Sequence, residues 1–213
     1  MKINLNFIKP LSFVPTNKRT SEIWNSDLIF SSNETYLIIA PSGTGKSSLA
    51  SFLYGFRNDY SGEISFDEKN IREFDLNDWT LIRQKKITVV FQDLRLFEQL
   101  SVEENIQLKC SLGTNLKHEK INDFASRIGI DDLFSRKVET LSMGQKQRVA
   151  ILRSLIQPFE FLIMDEPFSH LDTENISKAL ELINSVCENQ NAGFLMTSLD
   201  QTYNFNYSKI LHL

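Results

Sequence analysis

The sequence predicts an α/β fold, a parallel sheet covered on both faces with a helical stretch inserted between its strands. Three observations carry this expectation. Short apolar runs recur at residues 36–39, 87–91, 161–164, 194–196 and 210–213 with helical patterns between them, as in parallel strands buried on both faces. A Gly/Ser loop joins the first run directly to a helical pattern. Between the second and third runs, residues 93–158 show helical spacing and no strand signal.

Ile3, Leu5 and Phe7 alternate with Asn4 and Asn6, so the chain opens with a half-buried strand, followed by a polar loop at about 15–21. A second strand near 28–30 turns through Ser31-Ser32-Asn33-Glu34, where Asn33 tolerates a left-handed conformation. In the helical stretch, Ser101-Val102-Glu103-Glu104 has the form of a capping box, and 118–127 is amphipathic with Gly129 as its stop. Val149, Leu152 and Ile156 share one face of a helix over 145–156 that Pro158 closes. With no internal repeat or linker, the 213 residues read as one domain, a core of about 1–92 and 158–213 carrying a helical subdomain of about 93–157.

Hydrophobic residues at 41% and charged residues at 23% exclude a disordered chain. The net charge of −4, with no basic block longer than Gln84-Lys85-Lys86, excludes nucleic acid as a sequence-independent partner. Cys110 and Cys187 form no paired motif, which suits a reducing compartment and excludes a disulfide framework or a cysteine zinc site. No segment approaches the roughly 18 apolar residues of a membrane span, so the chain is not expected to cross a membrane itself.

Two stretches carry chemistry. After Ile39 comes Ala40-Pro41-Ser42-Gly43-Thr44-Gly45-Lys46-Ser47-Ser48, then Leu49, Phe52 and Leu53 at helical spacing. Gly43 and Gly45 let the backbone curl so that its N–H groups, with the helix N-terminus, face a polyphosphate. Lys46 then reaches the β- and γ-phosphates, and Ser47 ligates Mg²⁺. The pattern asks for Gly where Ala40 stands. Alanine serves if its φ is negative, whereas a positive φ would cost roughly 1 kcal/mol and loosen the loop. The second stretch, Phe161-Leu162-Ile163-Met164-Asp165-Glu166-Pro167, is a buried strand ending in two carboxylates that need a cation or hydrogen bonds. Asp165 suits the metal, and Glu166 suits a general base acting on water.

Leu141-Ser142-Met143-Gly144-Gln145, before an amphipathic helix, resembles the L-S-G-G-Q signature loop of ATP-binding-cassette (ABC) ATPases, with Met143 for the first glycine of the pair. The resemblance extends over nearly the whole chain. Gln92 looks like the Q-loop glutamine that senses Mg²⁺ and the transport partner, Ser169-His170-Leu171-Asp172 like the D-loop, and Ser61-Gly62-Glu63-Ile64 like the family's β-hairpin segment. Residues 91–107 are similar to the subgroup serving lipoprotein release, macrolide efflux and cell division. The family implies a P-loop NTPase (RecA-like) core with an N-terminal antiparallel β subdomain and an inserted α-helical subdomain. It also implies that Ser142, Met143, Gly144 and Gln145 face the γ-phosphate held by an opposite protomer, and that an aromatic stacks on adenine, for which Phe13 is the candidate. Leu94, Leu96, Phe97 and Leu100 are either a groove for a permease segment or subdomain packing.

After residues 194–196 the family usually shows Thr-His-Asp, whereas this chain reads Thr197-Ser198-Leu199-Asp200, so Ser198 stands where the switch histidine would be. The resemblance implies an ATPase with ATP and Mg²⁺ as cofactors. As a homodimer it would power a separately encoded integral-membrane permease from the cytoplasmic face. Ala40 and Ser198 keep open a nucleotide-gated module with little turnover, and a soluble ABC ATPase outside transport is a further alternative. Neither the transported substrate nor its direction is legible.

Overall fold

Nine strands and six α-helices lie within residues 1–12, 21–113 and 116–213, the parts described by a computed structural model. In chain order they are β1 (Lys2–Pro10), β2 (Asp27–Ser31), β3 (Thr35–Ile39), α1 (Lys46–Leu53), β4 (Tyr60–Phe66), β5 (Lys69–Asn70), α2 (Leu76–Lys85) and β6 (Ile87–Val90). There follow α3 (Val102–Cys110), α4 (His118–Arg127), α5 (Met143–Leu155), β7 (Phe161–Asp165), α6 (Thr173–Gln190), β8 (Gly193–Ser198) and β9 (Lys209–His212). One sheet has the order β2-β1-β4-β5 with antiparallel pairing, the other the order β6-β7-β8-β3-β9 with parallel pairing throughout.

The apolar runs are continuous because each face of the parallel sheet has its own core. Leu37, Leu162, Met164, Phe194 and Met196 point into a core shared with Val149, Leu152 and Ile183 of the helices. Their neighbours Tyr36, Ile38, Phe161, Ile163 and Leu195 point the other way, against Phe52 of α1 and Ile3, Leu5 and Phe30 of the antiparallel sheet. At period two, a strand buried on both sides has no position left for a polar residue. Among the described residues of 93–157 the regular elements are helical. α5 packs on β6, α3 and α6, so this stretch shares the core of the sheet.

The first strand departs from the expected alternation at Phe7, which is 63% exposed while Ile8 is fully buried. Phe7 has a left-handed φ of 51°, and the pairing with β4 shifts between Asn6 and Lys9. This bulge moves the buried register on by one residue. Gly62 makes it possible: its φ is +79°, and a Cβ there would lie 2.4 Å from the Phe7 carbonyl oxygen and 2.5 Å from that of Asn6. Gly62→Ala is therefore expected to destabilise the protein by about 2 kcal/mol or more, lowering Tm by roughly 4–8 °C in a thermal melt.

Asn33 turns with φ 68° as expected, and Gly129 with φ 62° follows α4. Ser101 and Glu104 form the expected capping box. No apolar period marks α2 in the sequence, because it has no fully buried residue, although Asp75 and Asp78 box its N-terminus.

Candidate functional site

The parallel strands place their C-terminal ends side by side, where open α/β sheets bind ligands. β3 ends at the Gly/Ser loop, β7 at the two carboxylates, and β8 lies between them. Asp165 pairs with Thr197 and Ile39 with Ser198, and the Ala40 N–H donates to the Ser198 carbonyl at 3.0 Å. Ala40 is 1% exposed and its φ is not positive, so alanine fits without backbone strain. Gly43 and Gly45 take the left-handed φ values of 79° and 106° that the curl requires, and Gly45 caps α1. Pro41, Ser42 and Gly43 are exposed, Thr44 donates through Oγ1 to the Pro41 carbonyl at 2.8 Å, and Ser48 accepts from Arg57.

Lys46 is 4% exposed. Its Nζ donates to the carbonyls of Ala40 at 2.6 Å and Pro41 at 3.0 Å and lies 3.1 Å from Glu166 Oε1. Glu166 has a left-handed φ of 49°, uncommon for a side chain with a Cβ, and its N–H is held by Thr197 Oγ1 at 3.0 Å. The same Thr197 hydroxyl donates to Asp165 Oδ1 at 2.7 Å, so one residue ties the Asp165 carboxylate to the Glu166 backbone. Burial pushes the Asp165 carboxyl above its usual range, the neighbouring Glu166 adds to this, and hydrogen bonds from Ser47 and Thr197 with the Lys46 charge oppose it. Ser47, Gln92 and Asp165 line one cleft of about 330 Å³ with Ser51, Phe91, Asp93 and Arg95. These three offer hydroxyl, amide and carboxylate oxygens, the donor chemistry of a hard divalent cation.

The signature stretch lies elsewhere, since neither Ser142 nor Gly144 lines that cleft. Ser142 caps α5 in a reciprocal box with Gln145, accepting from the Gln145 N–H at 3.2 Å while Gln145 Oε1 accepts from the Ser142 N–H at 2.9 Å. Met143 is 47% exposed. A Cβ on Gly144 would lie 2.8 Å from the His170 carbonyl oxygen, so only glycine allows this approach. Gln147 ties the stretch to residues 169–172: its Nε2 donates to Ser169 Oγ at 2.9 Å and its Oε1 accepts from the His170 N–H at 3.0 Å. Asp172 caps α6 by accepting from the Asn175 N–H at 2.8 Å, and that bond holds its carboxyl below the usual range.

Phe13 lies outside the described residues. Of the apolar group after Gln92, Leu94 is 6% exposed and packs in the helical core, with Leu96 half-buried against it, while Phe97 is 57% exposed. Sequence reasoning missed Thr197, Gln147 and Trp24. The Trp24 indole donates to the Thr44 carbonyl at 3.1 Å, and a Cβ on Gly45 would lie 2.9 Å from its ring. The available signal for Thr197 was a polar residue ending an otherwise apolar strand.

A glycine loop entering a helix at the end of one parallel strand, with paired carboxylates at the end of the next strand but one, defines a P-loop NTPase. The family model for ABC transporters matches residues 23–169. A thiamine import ATP-binding protein of Aliivibrio fischeri is 38% identical over 181 residues, covering 84% of this chain and 75% of that protein. Its namesake in Escherichia coli is 35% identical over 168 residues, covering 78% of this chain and 70% of that protein. A bacterial ABC transporter cassette solved as a dimer superposes with a TM-score of 0.79 at 24% identity, covering 93% of this chain and 88% of that one, which speaks to the fold alone. The chain belongs to the ABC transporter family, as an ATP-binding and ATP-hydrolysing subunit. Both relatives named here carry the thiamine-import name, so the subgroup resemblance at 91–107 gains no support from them. Among the described residues no helix is long and apolar enough to cross a membrane.

Proposed function

We propose that two copies of this chain close around ATP, with the loop Ala40–Ser48 of each facing Ser142 and Gly144 of the other, and that closure drives a separately encoded membrane permease. The convergence of Lys46, Asp165, Glu166 and the Ser198 backbone at the ends of neighbouring strands carries this reading. Lys46 and the loop amides neutralise charge on the phosphates, and Glu166 takes the proton of the attacking water. Ser47, Gln92 and Asp165 would hold Mg²⁺, which would supply neutralisation of phosphate charge when bound. Residues of about 93–157 act as the helical subdomain that presents Ser142 to the partner copy and Gln92 links to the permease. In this arrangement the subunit sits on the cytoplasmic side of the membrane, held there by the permease.

The names of the relatives favour import as the direction and thiamine as the first solute to test. A dimeric motor has a kinetic signature: phosphate release from Mg-ATP rises more than linearly with protein concentration, above a Glu166→Gln background. A strictly linear rise would show that one copy suffices and would remove the dimer. Radiolabelled thiamine uptake by vesicles holding the subunit with its permease tests the solute.

A further inference from the structure

We infer that His170 of each copy serves the ATP site of the other, its imidazole Nε2 donating a hydrogen bond to the γ-phosphate during hydrolysis. This role rests on the dimer proposed above, in which the loop 40–48 of one copy faces Ser142 and Gly144 of its partner. His170 lies beside that facing surface, since a Cβ on Gly144 would come within 2.8 Å of the His170 carbonyl oxygen. Ser169 and His170 are both exposed, and neither lines the cleft that Ser47, Gln92 and Asp165 form in the same copy. A side chain next to the signature stretch and outside its own cleft is placed for the nucleotide that the partner holds. In a two-fold dimer the exchange is mutual, so each site gains one histidine.

A chain of hydrogen bonds holds the ring and sets its donor. The buried Gln147 accepts from the His170 N–H through Oε1 at 3.0 Å. A backbone N–H can only donate, so the other end of that amide is its NH₂ group, which donates to Ser169 Oγ at 2.9 Å. Ser169 Oγ in turn lies 3.0 Å from His170 Nδ1. With the Gln147 N–H arriving at its oxygen, the Ser169 hydroxyl gives its own hydrogen to Nδ1, and the neutral ring carries its hydrogen on Nε2. The imidazolium form would present the same N–H. Among the described residues Nδ1 meets Ser169 while Nε2 has no hydrogen-bond partner, so one oriented donor stands uncommitted on an exposed side chain. A preorganised N–H at a transferring phosphoryl group stabilises the charge on its oxygens. Ser198 ends β8 with a hydroxyl where the family usually has histidine, and His170 supplies an imidazole from the opposite side.

Mixing variants separates a role across the dimer from one within a single copy. Steady-state ATPase kinetics and thermal melts are run on wild type, His170→Ala, Glu166→Gln, and His118→Ala as an exposed histidine elsewhere. His170→Ala is expected to lower kcat about a hundredfold, the usual cost of one preorganised donor, with Tm unchanged because its backbone bond to Gln147 survives. His118→Ala should keep the wild-type kcat. His170→Ala and Glu166→Gln are then mixed in equal amounts before ATP is added. A mixed dimer has one complete site, built from Glu166 of the first variant and His170 of the second, so turnover should rise about tenfold or more above either variant alone. If His170 acted within its own copy, both sites of the mixed dimer would be defective and mixing would restore nothing. A wild-type kcat in His170→Ala, an equal loss in His118→Ala, or no restoration on mixing overturns the role of His170 while the dimer stands. A wild-type rate strictly linear in protein concentration removes the dimer, and His170 with it.

Discussion

Glu166→Gln is expected to lower kcat for ATP about 10³-fold while leaving nucleotide binding intact, because a positioned general base contributes roughly 10²–10⁴ in rate. Glutamine keeps the shape and can hold the same left-handed backbone, anchored through its N–H to Thr197. It loses the proton acceptor and the charge 3.1 Å from Lys46 Nζ. Losing that charge frees the ammonium for a phosphate, so ATP affinity should hold or rise. If hydrolysis is what separates the two copies, the variant accumulates as an ATP-bound dimer, visible by light scattering in Mg-ATP. Turnover within threefold of wild type would mean that another group handles the water.

Lys46→Ala should act on two properties at once. Its ammonium is buried against two backbone carbonyls and one carboxylate, and deletion leaves the buried Ala40 carbonyl and the mostly buried Glu166 carboxylate without that partner. Removing one partner of a buried ion pair costs about 3 kcal/mol, because the other charge stays behind. Thermal melts should therefore show a lower Tm for the variant in buffer. Adding ATP should raise the wild-type Tm by mass action, whereas the variant, lacking the cation that meets the phosphates, should show little shift. An ATP-dependent rise equal to that of wild type would take Lys46 out of the nucleotide site.

The features read correctly from the chain are those built from adjacent residues. The glycine loop is one contiguous segment, so its two left-handed glycines, the lysine after them and the helix that follows stand in the sequence in working order. The same holds for Asp165-Glu166 at the end of a strand and for the Ser101–Glu104 box, whose partners lie three positions apart. The parallel sheet was legible because burial on both faces forces unbroken apolar runs. α2 was not, since no residue in it is fully buried and its pattern carries little period.

Contacts between distant residues left no such trace. Thr197 reaches Asp165 across 32 positions, Gln147 reaches Ser169 across 22, and Trp24 reaches Thr44 across 20, and each of these polar atoms would read as ordinary until its strand or helix is docked. Phe7 shows the converse: its alternation promised burial, and a bulge accommodated by Gly62 turned it outward. The sequence by itself determined the strand and helix pattern, the phosphate loop and the carboxylate pair, because local spacing and apolar period encode them. Only the tertiary structure decided that Ala40 sits without strain and that the Thr197 hydroxyl ties the Asp165 carboxylate to the Glu166 backbone. Those depend on which strand ends lie side by side, and that follows from packing over the whole sheet.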